Sequence, residues 1–83
     1  PRPIAQTYAK AKQFESKVIK IIEADEVQHE SSKIPGTIIE QSKNNCYIAT
    51  GNGVLGLKRV QLAGKNEVSI KDFNNAYQLL ELS

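Results

Sequence analysis

The chain has 83 residues, of which 11 are lysine or arginine and 9 are aspartate or glutamate, giving a formal net charge of +2. This length suits one domain with one modest core. A single cysteine and a single histidine exclude an internal disulfide and a Cys/His metal cluster. No apolar run is long enough to span a membrane and no signal peptide is visible, so a soluble cytoplasmic protein is expected.

The first predicted elements are a linker and a long strand. Residues 1–12 hold two prolines and few large apolar side chains, which is typical of a linker, with a short edge strand over residues 4–8 as the alternative. β-Branched residues crowd residues 14–27, which favours a strand. A helix is the alternative there, because apolar side chains also recur four residues apart, but adjacent β-branched pairs are unfavourable in helices.

A β-hairpin is predicted over residues 46–62, and the rest of the fold is expected to pack against it. Asn52-Gly53 is a strong hairpin signal, because the tight primed turns need positive φ at their central residues. A shorter strand over residues 37–41 follows Pro35-Gly36. Because an isolated hairpin is marginal in water, these strands need each other and the strand over residues 14–27.

A C-terminal helix is predicted from its capping pattern. Ser69 is a favourable N-cap, and Asp72 three residues later suits the first helical turn. The apolar face of this helix is expected to hold residues at i, i+3, i+4 and i+7, namely Phe73, Ala76, Tyr77 and Leu80. The elements together predict a mainly β fold, a small open antiparallel β-barrel of the oligonucleotide-binding type with one short C-terminal helix.

No group of residues predicts catalysis. Residues 51–56 match G-x-G-x-x-G, but dinucleotide binding requires a helix after the motif, whereas strands are predicted on both sides. We interpret the match as a hairpin turn. His29 has Glu26 and Glu30 nearby but no nucleophile, and is interpreted as a solvated loop residue. We therefore expect no catalytic residue, metal or cofactor in this chain.

Basic residues carry the functional prediction. The candidates lie on the two predicted long strands and in the loop after the second: Lys17, Lys20, Lys58, Arg59 and Lys65. If these strands pair, the side chains could follow a phosphate backbone. The alternative is ordinary surface lysines that protect sheet edges. Aromatic residues are few, so structured RNA recognised by its shape and phosphates fits better than a single strand.

An ordered series of short motifs occupies the second half of the chain. They are Pro35-Gly36-Thr37-Ile38, Ala49-Thr50-Gly51-Asn52-Gly53, Val60-Gln61-Leu62-Ala63-Gly64-Lys65 and Ser69-Ile70-Lys71-Asp72-Phe73. In this order the series resembles the C-terminal domain of the methionyl-tRNA formyltransferase family, over residues 14–80. Three positions depart from the family pattern. Asn52 stands where aspartate is frequent, and either residue suits the turn. Asn66 stands where a second lysine is usual, which lowers the positive charge beside Lys65, and Val68 replaces a methionine.

The resemblance implies a division of the chain and a role. Residues 13–83 would form the formyltransferase C-terminal barrel, and residues 1–12 the linker from a missing N-terminal Rossmann-like domain. The absence of methionine and the start at Pro1 likewise indicate a piece of a longer protein. That N-terminal domain would hold the catalytic residues and bind 10-formyltetrahydrofolate as formyl donor. The piece itself would be non-catalytic and monomeric, and the parent protein would be the enzyme.

The partner implied by the resemblance is initiator tRNA, whose methionyl group the parent enzyme would formylate for translation initiation. By position, Lys65 matches the first lysine of the family's G-K-K motif, with Lys58 and Arg59 close by in the sequence. The alternative is a structural interdomain module in a sugar-nucleotide formyltransferase or another folate-dependent formyltransferase. Whether the five basic residues share one exposed surface distinguishes the two hypotheses.

Overall fold

Seven strands and one short helix make up the part of the chain that this computed structural model describes, residues 5–28, 33–51 and 53–83. In chain order the elements are β1 (Ala5–Ala11), β2 (Phe14–Gln28), β3 (Ile38–Gln41), β4 (Cys46–Thr50), β5 (Gly53–Leu62), β6 (Val68–Ser69), α1 (Ile70–Ala76) and β7 (Leu79–Leu82). The predicted mainly β fold is confirmed. His29, Glu30 and Asn52, which the sequence analysis interpreted, lie outside the described residues.

One antiparallel sheet runs in the order β3-β4-β5-β2-β1-β7, with β6 paired to β5. Its two ends meet through the segment that precedes β3. The Leu82 amide donates to the Gly36 carbonyl at 2.9 Å, and the Gly36 amide donates to the Ala49 carbonyl at 2.8 Å. Thr37 also pairs with Glu81 across the same seam. The sheet is therefore a nearly closed barrel, as predicted.

Strand β1 lies inside the sheet, between β2 and β7. Residues 5–11 of the predicted linker therefore form a strand, which overlaps the alternative prediction of a strand over residues 4–8 but does not lie at a sheet edge. Ala9 and Ala11 point into the core, while Tyr8 and Lys10 are exposed. This is a period-two pattern, but its buried members are small alanines, which give little apolar signal in the sequence.

The core lies between β2, β5 and α1. Ile19 pairs with Leu62 and Ile21 with Val60, so these four apolar side chains face the barrel interior together. Phe73 of α1 packs against the same core and is 1% exposed. The predicted strand over residues 14–27 is confirmed, and the alternative of a helix there is wrong. Ile19 and Ile21 are buried by alternation along β2 and by their partners on β5, whereas Val27 near the end of the strand is 55% exposed.

The predicted hairpin is confirmed by the pairing of β4 with β5. Thr50 lies opposite Gly53, and the register continues through Tyr47 opposite Gly56. Gly53 has φ of +152°, a value that a residue with a side chain rarely adopts. β4 ends at Thr50, just before the G-x-G-x-x-G match, and β5 begins within the match at Gly53, so its interpretation as a hairpin turn agrees with the structure.

The helix begins where predicted but ends earlier. Ser69 is the N-cap, and its Oγ accepts a hydrogen bond from the Asp72 amide at 3.3 Å. Tyr77 has extended φ and ψ, so the helix stops at Ala76. Leu80, predicted on the apolar helix face, lies in β7 and is 55% exposed, so that part of the prediction is wrong. Pairing with β1 outweighs the helical spacing, because β7 buries Leu79 and Leu82.

Burial of Cys46 makes stability depend on alkaline pH. This β4 residue is 1% exposed, and desolvation raises the pKa of its thiol from 9.0 to about 11. The unfolded chain therefore loses this proton at lower pH than the folded chain does. The buried, protonated thiol therefore makes its full contribution to the free energy of unfolding below pH 9. That contribution is lost as the pH rises from 9 towards 11. We expect the free energy of unfolding of the native chain to fall more steeply there than that of Cys46→Ala, by about 1.4 kcal/mol per pH unit. Urea unfolding at pH 8, 9, 10 and 11 measures the difference, and parallel profiles would contradict it.

Candidate nucleic-acid interface

The described residues offer a charged surface and no enclosed reactive site. Within residues 5–28, 33–51 and 53–83, no three His, Cys, Asp or Glu side chains lie close enough to hold a metal ion. No polar or charged side chain in those ranges is buried. The one helix described there is too short and too polar to cross a membrane. The charged groups on the outside of the sheet are therefore the candidates for a functional site.

The outer face of β2 and β5 brings several predicted residues together. Lys20 of β2 lies directly opposite Gln61 of β5, between two core-facing pairs, so both side chains point outwards. Gln61 Nε2 donates to the Lys65 carbonyl at 2.9 Å, which holds the loop after β5 against this face. Arg59 lies two residues before Gln61 and shares its face. We call this set, Lys20, Arg59, Gln61 and Lys65, the outer basic patch.

Two of the predicted cations form surface ion pairs. Arg59 Nε lies 2.9 Å from Glu67 Oε1, and Lys58 Nζ lies 3.2 Å from Asp25 Oδ2. Such exposed pairs contribute only about 0–1 kcal/mol each, so a phosphate can compete for the cation. Among the ion pairs of the described residues, none involves Lys20 or Lys65. The positive charge of the outer basic patch is therefore least compensated at these two exposed lysines.

Lys58 lies next to the outer basic patch because of an irregularity in the sheet. Glu23 and Ala24 of β2 lie opposite Arg59 and Leu57 of β5, so Lys58 is an extra residue at a bulge. Because of the bulge, the Lys58 ammonium points outwards, towards Asp25. The side chain of the adjacent Arg59 points outwards as well. Simple alternation would have placed one of these two neighbours inside the barrel.

Lys17 is the one predicted residue that the fold does not bring to this patch. It lies opposite the buried Ala9, on the sheet face other than that of Lys20. Its Nζ lies 5.5 Å from the centroid of the Phe14 ring, a cation–π geometry near the turn between β1 and β2. Four of the five candidate cations are therefore neighbours on the outer side of β2 and β5, and Lys17 lies on the other face of the sheet.

Gln61 and Glu67 belong to this surface although neither was a predicted site residue. Gln61 links Lys20 to Lys65, and an uncharged residue gives no signal in a search for cations. Glu67 neutralises part of the Arg59 charge. The register that places Gln61 opposite Lys20 was the missing information, because sequence spacing alone does not pair β2 with β5.

Comparison with known proteins gives one consistent result. A family model described as "Formyl transferase, C-terminal domain" matches residues 1–78. The chain is similar to methionyl-tRNA formyltransferases of Nitrosococcus oceani, at 37% identity over 79 residues, and of Streptococcus suis, at 45% over 75 residues. It is also 38% identical over 77 residues to that of Coxiella burnetii. These matches cover 90–95% of the chain but only 22–23% of each relative.

Proposed function

Because this chain belongs to the formyl transferase C-terminal domain family, we propose that it is the tRNA-positioning domain of a methionyl-tRNA formyltransferase. In this proposal a Rossmann-like domain preceding the barrel transfers a formyl group from 10-formyltetrahydrofolate to methionyl-initiator-tRNA. The barrel contributes no catalytic residue and no cofactor. The parent enzyme acts as a cytoplasmic monomer in translation initiation. The single observation that carries the proposed role of the barrel is the outer basic patch.

Phosphate contacts are the means by which this patch would act. The ammonium groups of Lys20 and Lys65 can each donate charge-assisted hydrogen bonds to phosphate oxygens. Gln61 lies opposite Lys20 and bonds to the Lys65 carbonyl, so it connects the two residues. Contacts of this kind fix the orientation of a nucleic acid without reading its sequence. A tRNA held in one orientation presents its methionyl group to a separate active site, and that positioning supplies the rate effect.

The ion-paired cations can also contribute without losing their partners. Arg59 uses Nε towards Glu67, and its guanidinium carries further N–H donors that could reach a phosphate. Lys58 has three ammonium donors, and its contact with Asp25 is an exposed one. The proposed contact surface therefore comprises the outer basic patch together with Lys58, whereas Lys17 lies on the other face of the sheet.

Removing the two unpaired lysines tests the proposal. For Lys20→Gln/Lys65→Gln we expect initiator-tRNA affinity to fall about tenfold at low salt, and the slope of log affinity against log salt to fall by about two. The matched control is Lys12→Gln/Lys43→Gln, which removes the same charge from two exposed turns. This control should bind within about twofold of the native chain. Equal losses in both double variants would indicate net charge alone and would contradict the proposed patch.

The alternative function, an interdomain structural module, is favoured by a different observation. Large apolar side chains are exposed on β1 and β7, with Tyr8 58% and Leu80 55% exposed. Tyr8 lies opposite Val18, two residues from Lys20, so this surface borders the outer basic patch. A module of that kind would dock through β1 and β7 and would need no tRNA contact. It predicts that the Lys20→Gln/Lys65→Gln variant behaves as the native chain does.

A further inference from the structure

Tyr47 lies across the outer face of the sheet in the space that Gly56 leaves open. The two residues are opposite each other on β4 and β5. A Cβ atom at position 56 would come within 3.1 Å of Tyr47 Cε1, 3.3 Å of Tyr47 Cδ1 and 3.1 Å of Val27 Cγ2. The ring therefore occupies the place of a side chain at position 56 and reaches across β5 towards Val27 of β2. Even a methyl group at position 56 would require the ring or Val27 to shift by a few tenths of an ångström.

This ring is part of the wall of a groove of about 350 Å³. Polar residues line much of the remaining wall, including Asn44, Asn45, Lys58 and Lys71. Lys58 and Lys71 are exposed, and Lys71 takes part in none of the ion pairs found among the described residues. Among the described residues, the wall of the groove thus combines one aromatic residue, two asparagines and two lysines, with Asp25, the ion-pair partner of Lys58, as the one carboxylate.

We propose that this groove binds a single unpaired nucleotide of the RNA, with its base stacked on Tyr47 and its phosphate held between Lys58 and Lys71. Stacking on aromatic rings beside cations is the usual means of holding an unpaired base. The amides of Asn44 and Asn45 can both donate to and accept from the edge of a base. This inference rests on the proposed function and specifies a second mode of contact, to a base instead of to the backbone.

Strand β5 joins the groove to the outer basic patch. Lys58 lines the groove, and the next residue, Arg59, belongs to the patch. A strand of RNA following β5 would therefore pass from phosphate contacts at Lys20 and Lys65 to the ring of Tyr47. The cations and amides of the wall favour a nucleotide over an apolar peptide, which would leave these groups without partners.

Binding of a six-nucleotide adenylate RNA tests the site directly. In the native chain the Tyr47 ring signals should move upfield on titration, because a stacked base shields ring protons. Tyr47→Leu should weaken binding about tenfold, whereas Tyr47→Phe should retain it. Tyr8→Leu is the matched control, since Tyr8 is exposed on β1 and lies outside the groove. Equal weakening by Tyr47→Leu and Tyr8→Leu, or unmoved Tyr47 signals at saturation, would overturn the inference.

The two proposals fail in different ways. In one outcome, initiator tRNA shifts the amide signals of the outer basic patch but not the ring signals of Tyr47. That result would overturn the inference of a nucleotide groove and would leave the proposed function standing. Adenylate RNA that stacks on Tyr47, together with tRNA binding unaffected by Lys20→Gln/Lys65→Gln, would support the groove and overturn the proposed patch. An amide spectrum of each variant that matches the native one confirms that the fold is retained.

Discussion

Gly36→Ala is expected to lower the free energy of unfolding by about 4 kcal/mol, because Gly36 stands at the seam that closes the barrel. Its φ is +94°, where a side chain adds strain of about 1–2 kcal/mol. A Cβ there would also lie 1.9 Å from the Leu82 carbonyl oxygen, a backbone atom that cannot move away alone. The collision would separate β7 from the segment before β3 and break the hydrogen bond from the Leu82 amide to Gly36.

Alanine variants at two other glycines distinguish the effect of the steric collision from the effect of backbone strain. Gly64 has φ of +78° but open space around a Cβ, so Gly64→Ala should cost only the strain, about 1–2 kcal/mol. Gly51 also has open space, without a left-handed φ, and Gly51→Ala should be close to neutral. Urea unfolding followed by circular dichroism measures all three. A Gly36→Ala loss no larger than that of Gly64→Ala would show that the seam does not close the barrel.

Gln41→Ala is expected to lower the free energy of unfolding by about 3 kcal/mol, because one half-buried side chain makes three hydrogen bonds. Gln41 Nε2 donates to Asn74 Oδ1 at 2.8 Å and to the Tyr77 carbonyl at 3.0 Å. Gln41 Oε1 accepts from the Leu79 amide at 2.7 Å. These bonds span the point at which the chain leaves α1 and enters β7. Alanine would leave backbone groups of Tyr77 and Leu79 without partners.

Gln13→Ala is the matched control for this cluster. Gln13 Oε1 accepts from the Gln78 amide at 2.9 Å, but this single bond is exposed and water can replace it. Its loss should therefore cost less than about 1 kcal/mol. Hydrogen exchange provides a second measurement, since the Leu79 amide should exchange much faster in Gln41→Ala than in Gln13→Ala. Equal stability losses in the two variants would contradict the role given to Gln41.

Local signals account for the parts of the fold that the sequence predicts. Asn52-Gly53 indicates the hairpin, β-branched residues indicate β2, and Ser69 marks the start of the helix. The two errors involve contacts distant in sequence. β1 buries alanines against β2 and β7, and β7 depends on Gln41, 38 residues before Leu79. A helical spacing that ends in Leu80 cannot indicate that this segment pairs with β1 and bonds to Gln41 of β3.

The sequence indicated which basic residues could form the candidate interface, but not which of them lie on the same face of the sheet. Lys17 and Lys20 are three residues apart on one strand, so alternation alone separates their faces. The bulge that turns Lys58 outwards and the register that pairs Lys20 with Gln61 depend on how β2 meets β5. The Tyr47 ring likewise lies where it does because Gly56 has no side chain. The two residues are neighbours only through the pairing of β4 with β5.

The central claim, that the outer basic patch holds initiator tRNA, is tested most directly by amide chemical shifts of this chain during a tRNA titration at low and then moderate salt. We expect the largest shifts at Lys20, Arg59, Gln61 and Lys65, and we expect them to fade as salt rises, since phosphate contacts release counterions. Unchanged spectra at low salt, or shifts confined to β1 and β7 around Tyr8 and Leu80, would contradict the claim.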